Sequence, residues 1–250
     1  MQAQSKKKKV QRRTPGAQPS GRKRAQKTET REKILEAAKK VFSEHPYSSA
    51  SIRMVGSAAG IDHPLISYYF PTKADLFEAL VEEISETYYH ANTAWFEGLE
   101  ALGLSPGLSL YIDRMLDFIS EHPETLRIVA LNLVQPEESE VVPAYRQMQR
   151  LTVRNTETFR KVAALRGSTR EVRMFTESFN ALVINYLGAA SYYAGILDMK
   201  PGGPAYRRWV KETLMALFLP RLRQLIRGES GEASSGKRAS GTRPAGPGRI

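Results

Sequence analysis

Apolar residues recur at helical spacing through nearly all of the middle of the chain. In residues 29–44, Ile34, Leu35, Ala38, Val41 and Phe42 fall on one face, and Pro46 closes the segment. A short helix is expected from Ser51 to Ala59, and another from about Asp62 to Phe70. Pro71 and Thr72 open a longer helix through Leu76, Phe77, Leu80, Val81 and Ile84. Further helices are predicted at about 106–121, 123–134, 143–165, 169–197 and 205–227. The breaks between them fall at Gly103 to Pro106, Pro123, Gln135 to Glu140, Gly167 and Pro201 to Pro204. No strand-like alternation bounded by turn residues interrupts this pattern, so the predicted class is all-α.

The segment from Ser51 to Lys73 carries the most information. Ser51 suits a helix N-cap, because its hydroxyl can accept from a free backbone N–H. Ile52, Val55, Ala58 and Ala59 give a short apolar face, and Gly60 follows where the chain must turn left-handed. Asp62 is placed to cap the next helix, and Pro64 falls in its first turn, where a missing N–H does little harm. Leu65 or Ile66, with Tyr69 and Phe70, can anchor that helix inward. Two short helices joined by a glycine-containing turn form the helix-turn-helix plan, whose second helix enters the DNA major groove.

Charge sharpens this picture. The chain of 250 residues has a net charge of +11, but residues 1–27 hold ten Lys or Arg and no acid. Residues 228–250 add +2, which leaves the rest at −1. Both ends are poor in apolar side chains and are expected to be disordered, residues 1–27 as a basic arm. Residues 28–75 hold six bases and six acids, so the motif itself has no net charge. Phosphate neutralisation normally supplies the sequence-independent part of DNA affinity. The arm is the expected source of it here.

Residues 30–80 resemble the DNA-binding domain of the tetracycline-repressor (TetR) family. The resemblance rests on TREKILEAAKKVF at 30–42, AAGI at 58–61 and SYYFPTKADLFEAL at 67–80. Beyond residue 90 only size and helicity match. The resemblance implies a helix-turn-helix DNA-binding domain at 28–75 and a helical effector-binding and dimerisation domain at 76–227. It implies that Ser51 and Arg53 meet phosphates, and that His63, Pro64 and Leu65 read base edges. Tyr68 matches a neighbouring DNA-facing position, and Lys73 a phosphate contact. Two positions depart from the pattern. Ser67 stands where tyrosine is frequent, which shortens or removes a phosphate contact. Gly56 stands where alanine is usual, which weakens that helix.

The family further implies a homodimer built from the last two long helices. Gly188, Ala189, Ala190, Ala194 and Gly195 are small enough for close helix approach, and Gly188, Tyr192, Gly195, Trp209, Leu214 and Phe218 are the candidate interface. The middle helices would enclose an effector pocket lined by Tyr111, Met115, Phe118, Phe159, Phe175 and Phe179, with Asn155 and Asn185 as polar anchors. Repression of a palindromic operator, relieved by a small-molecule effector of unstated identity, is inherited from the family. The alternative is an architectural DNA binder that uses its basic tails and has no effector.

Other classes are less well supported. With no cysteine and four scattered histidines, no metal or thiol chemistry is expected, nor any cofactor, and the composition fits the cytoplasm. The segment 178–197 is uncharged over 20 residues, but Asn180, Asn185 and three tyrosines make it a buried helix rather than a membrane span. Residues 103–107, GLSPG, match a nucleophile pattern that needs a preceding strand and an N–H on the residue after the serine. Pro106 lacks that N–H, so a helix–helix connection with Ser105 as N-cap is expected and catalysis is not.

Overall fold

The computed structural model describes residues 20–133 and 143–229. The basic stretch 1–19, the break at Gln135 to Glu140 and the tail beyond residue 229 lie outside the described residues. Among the described residues, ten α-helices follow one another: α1 (Ser20–Glu44), α2 (Ile52–Ala59), α3 (His63–Tyr69), α4 (Lys73–Ala94), α5 (Leu104–Glu121), α6 (Pro123–Leu133), α7 (Tyr145–Val162), α8 (Thr169–Val183), α9 (Ala190–Ile196) and α10 (Pro204–Arg227). The regular elements are all helical among the described residues.

Local chemistry explains most boundaries. Ser51 Oγ accepts from the Met54 N–H, and Gly60 ends α2 at φ 62°, ψ 38°. Thr72 and Asp75 cap each other's backbone at the start of α4, and Ser168 and Glu171 do the same for α8. Arg114 donates to the carbonyls of Trp95 and Glu97, which satisfies the end of α4.

Four boundaries differ from those the sequence suggests. α1 begins at Ser20, so residues 20–27 are helix rather than disordered arm. Lysine, arginine, glutamine and alanine are good helix formers, and once the apolar face after Ile34 is packed, each added turn needs no new nucleus. Asp62 makes no side-chain cap bond to α3. α5 opens at Leu104 with Gly103 as its cap, so Ser105 lies inside the helix. The expected single helix over 169–197 is broken by a π-helical turn at 184–188. There the Asn185 amide donates to the Ala181 carbonyl and competes with the regular ladder.

Two cores result. One joins α1 to α4: Ile34, Leu35, Phe42, Val55, Ile66, Phe70, Leu76, Phe77 and Leu80 pack together, and Ile128 of α6 enters it. The other joins α5 to α10 around Ile112, Met115, Phe175, Phe179, Tyr206, Val210 and Leu214, with Leu126 of α6. No helix among the described residues is long and apolar enough to cross a membrane. Gly60 is the one residue of the α2–α3 turn at positive φ. Replacing it by alanine should cost about 1 kcal/mol of stability, read as a lowered denaturant midpoint at unchanged slope.

Candidate nucleic-acid interface and ligand cavity

α3 is amphipathic over seven residues. Ile66 is buried and Phe70 closes the helix in the core, whereas His63, Pro64, Leu65 and Tyr68 are exposed, Tyr68 at 67%. Ser67 Oγ lies 3.4 Å from His63 Nδ1, so two hydrogen-bonding groups share the outer face. Arg53 on α2 is exposed and has no partner among the described residues. Ser51 is half-buried and its hydroxyl is committed to the N-cap. Arg53 and His63 line one shallow depression of the surface, at the junction of α2 and α3.

Lys73 is placed differently from its expectation. Its ammonium donates to the carbonyls of Tyr47 at 2.7 Å and Ala50 at 3.1 Å, and lies 4.2 Å from the Tyr47 ring centre. Burial lowers its pKa. Lys73 therefore ties α4 to the loop before α2 and keeps only one N–H for any other partner.

The beginning of α1 supplies the cations that α3 lacks. Arg24, Lys27 and Arg31 are exposed and follow one another at helical spacing. Lys27 Nζ stands 5.2 Å from the Tyr68 ring centre, and the Arg31 guanidinium 5.4 Å from that of Phe70. The last turns of the basic arm are thus fixed against the recognition helix.

Behind this domain lies a divided cavity. The smaller chamber, about 30 Å³, is lined by Tyr111, Asn155, Phe159, Phe175 and Phe179 from the expected set, together with Tyr88, Asn92, Leu108, Thr156, Thr176 and Asn180. Tyr111 donates from its hydroxyl to Asn92 Oδ1 at 2.7 Å, and Asn92 Nδ2 donates to Asn155 Oδ1 at 3.3 Å. The larger chamber, about 160 Å³, shares Tyr88, Asn155 and Asn180 and is otherwise walled mainly by α4, α6, α7 and the end of α8. Burial pushes the Tyr88 phenol up to about 12 and raises that of Tyr111 as well, so both stay neutral.

Three expected pocket residues line neither chamber. Met115 is buried in the core, Phe118 packs edge-to-face with Trp95 and Tyr88, and Asn185 is exposed and bonded to its own helix. Asn185 stands five residues beyond Asn180, about 140° round a helix, and so does not share its face. Asn92, Thr156 and Thr176 went unnoticed because an isolated buried polar residue leaves no periodic signal.

The candidate interface divides too. Leu214 and Phe218 are buried in the chain's own core. Gly188 closes on α6: a Cβ there would stand 2.8 Å from Ala130 Cβ and 2.9 Å from the Leu126 carbonyl. Those three positions are used within the protomer. Trp209 is half-buried against Tyr186 and Tyr206. Tyr192 and Ile196 on α9 remain 68% and 65% exposed, with Gly195 open beside them, and Leu217 on α10 is 55% exposed.

Comparison with known proteins bears on this geometry. Residues 34–80 match the model for bacterial regulatory proteins of the tetR family. Residues 34–80 therefore carry a tetR-family DNA-binding segment. The chain is 39% identical over 62 residues to the probable HTH-type transcriptional regulator YttP of Bacillus subtilis, covering 25% of this chain and 30% of that one. It is 31% identical over 108 residues to the HTH-type transcriptional repressor NicS of Pseudomonas putida, covering 43% and 50%. The chain thus spans half or less of the length of these two relatives. Among solved structures, a transcriptional regulator from Rhodococcus sp. Rha1 matches at TM-score 0.55 and 16% identity, over 76% of this chain and 96% of that one. A tetR-family regulator from Streptomyces coelicolor matches at 0.53 and 18%, over 82% and 91%. At these identities the tetR-family fold is shared, with its N-terminal helix-turn-helix domain and C-terminal helical domain. Relatives of this kind are regulators, not enzymes, and GLSPG here simply opens α5.

Two predictions follow from this surface. Lys73→Met should lower unfolding free energy by about 1–3 kcal/mol, because two carbonyls lose a charged donor. Reduced DNA affinity at unchanged stability would return Lys73 to a phosphate role. Replacing both Arg24 and Lys27 by alanine should lower the salt slope of DNA binding by about two. An unchanged slope would show that these cations stand off the phosphates.

Proposed function

We propose that this protein is a homodimeric, ligand-responsive transcriptional repressor that reads a palindromic operator through α3. The tetR-family match of residues 34–80 supports DNA binding and regulation. The observation that carries ligand response is the position of the larger chamber. Val81, Ile84 and Ile128 line it and are also members of the DNA-binding core. A ligand there presses on the residues that hold α1 and α4 together, so its binding energy can differ between two placements of the recognition helices.

Residues of α6 transmit that displacement. Asn132, buried at its end, accepts from the Tyr47 N–H at 2.9 Å and donates to the Ile128 carbonyl at 2.7 Å. Ser51, Arg53, His63, Pro64, Leu65, Ser67 and Tyr68 contact the operator in this reading. Arg24, Lys27 and the basic residues before them supply the non-specific attraction. The functional units are residues 28–75 for DNA, 76–227 for effector and partner, and the basic arm and the tail beyond 228 at either end. The exposed side chains of α9 and α10 form the dimer contact. The site of action is the cytoplasm.

Selection of bound sequences from random DNA by the full chain tests this reading. An enriched palindrome is expected. Ile196→Glu should reduce the product to a half-site and give a monomer in light scattering. Recovery of no preferred sequence would favour an architectural binder instead.

A further inference from the structure

The two chambers have a chemical character that narrows what they can hold. Neither is lined by Asp, Glu, Lys, Arg or His among the described residues. Glu177 reaches Thr156 by a side-chain hydrogen bond but lines neither chamber. An ion entering here would give up its hydration without a counter-charge, which is strongly unfavourable. The wall of the larger chamber is mainly aliphatic: Val81, Ile84, Leu126, Val129, Val183 and Ile184 are typical. Its volume, about 160 Å³, is close to that of an apolar cavity that admits benzene.

The partition between the chambers is polar. Tyr88, Asn155 and Asn180 line both sides of it. Among the described residues, neither the Tyr88 hydroxyl nor the Asn180 amide has a hydrogen-bond partner. Asn155 uses only its oxygen, toward Asn92. These polar atoms open onto the cavity space, where a ligand or water can meet them. The smaller chamber, about 30 Å³, has room for a water or two but not for a ring.

We infer that the cavity takes an uncharged molecule with an apolar body of about one ring. Its single hydrogen-bonding head, a hydroxyl, carbonyl or amide, faces Tyr88, Asn155 and Asn180. This rests on the ligand-responsive reading above and adds the class of ligand to it. The body fills the aliphatic chamber beside α4 and α6. The head replaces the water that would otherwise satisfy the partition, and a water in the smaller chamber can bridge it to Thr156 and Thr176, whose hydroxyls lie 3.1 Å apart. The donor–acceptor mixture at the partition accepts either polarity of head, so neutrality and size are the selective features.

A matched probe series tests this with the full-length protein. Benzyl alcohol and benzamide represent the neutral headed class, toluene the headless one, and benzoate and benzylammonium the two charges. Calorimetry at pH 7 should show the neutral headed probes binding at least about tenfold more tightly than either ion. Asn180→Leu and Tyr88→Phe, both close in shape to the native residues, should weaken benzamide several-fold and leave toluene unchanged. Equal or tighter binding of an ion, or no binding by any member, overturns the assignment. Release of the selected DNA, followed by fluorescence anisotropy in the same titrations, separates the two layers. Binding of neutral probes without release would sink the regulatory reading and keep the ligand class. Binding and release by an ion would do the reverse.

Discussion

One helix of 11 residues, α6, is shared by two hydrophobic cores, and the behaviour of the molecule depends on that sharing. Ile128 packs into the DNA-binding core and Leu126 into the C-terminal one. The π turn presses Gly188 onto the opposite side of α6 so tightly that no Cβ fits. Asn132 then fastens its end to the backbone of Tyr47. A helix held this closely cannot relax locally. Close-packed interiors transmit displacement instead of absorbing it. In the proposed reading, a change in the volume beside α6 is passed through Asn132 to the loop that leads into the helix-turn-helix.

In the proposed reading, the surface around α3 divides recognition from attraction. α3 presents a histidine, a serine, a leucine and an exposed tyrosine, none of them a fixed cation. Such groups discriminate among base edges and thymine methyls but contribute little to non-specific grip. The cations come from α1, where Lys27 and Arg31 lean on rings of α3 and its cap. Aromatic side chains here have two uses: Phe70 seals the core, and Tyr68 offers a face to a cation while remaining open to solvent.

Much of this was legible from residue order alone. The apolar spacing located every α-helix to within a few residues, except at the start of α1, at the end of α4, which runs ten residues past Ile84, and in the stretch that the π turn divides into α8 and α9. Gly60 and Ser51 marked the turn because their backbone chemistry admits few other uses. What the sequence could not reveal follows a common cause. Leu214 and Phe218 are as apolar as Leu217, and periodicity does not say which apolar stripe faces the protomer's own core. Lys73 looked like a free cation because its partners are main-chain carbonyls of residues 47 and 50, which no side-chain pattern advertises. Asn180 lines the cavity and Asn185 does not, because five residues set them about 140° apart on a helix and composition alone does not say which face the cavity takes.

The unbroken run of α1 has a geometric meaning. Its first deeply buried residue is Ile34, yet the helix begins at Ser20. At about 1.5 Å per residue, that leading section is a stiff rod of roughly 20 Å. A flexible tail samples many phosphates along a duplex, whereas a rod touches only those at its own radius. Against a rise of about 3.4 Å per base pair, it reaches no more than some six base pairs from its base. In the proposed reading this rod sets where Arg24 and Lys27 stand along the duplex, as a ruler sets a margin.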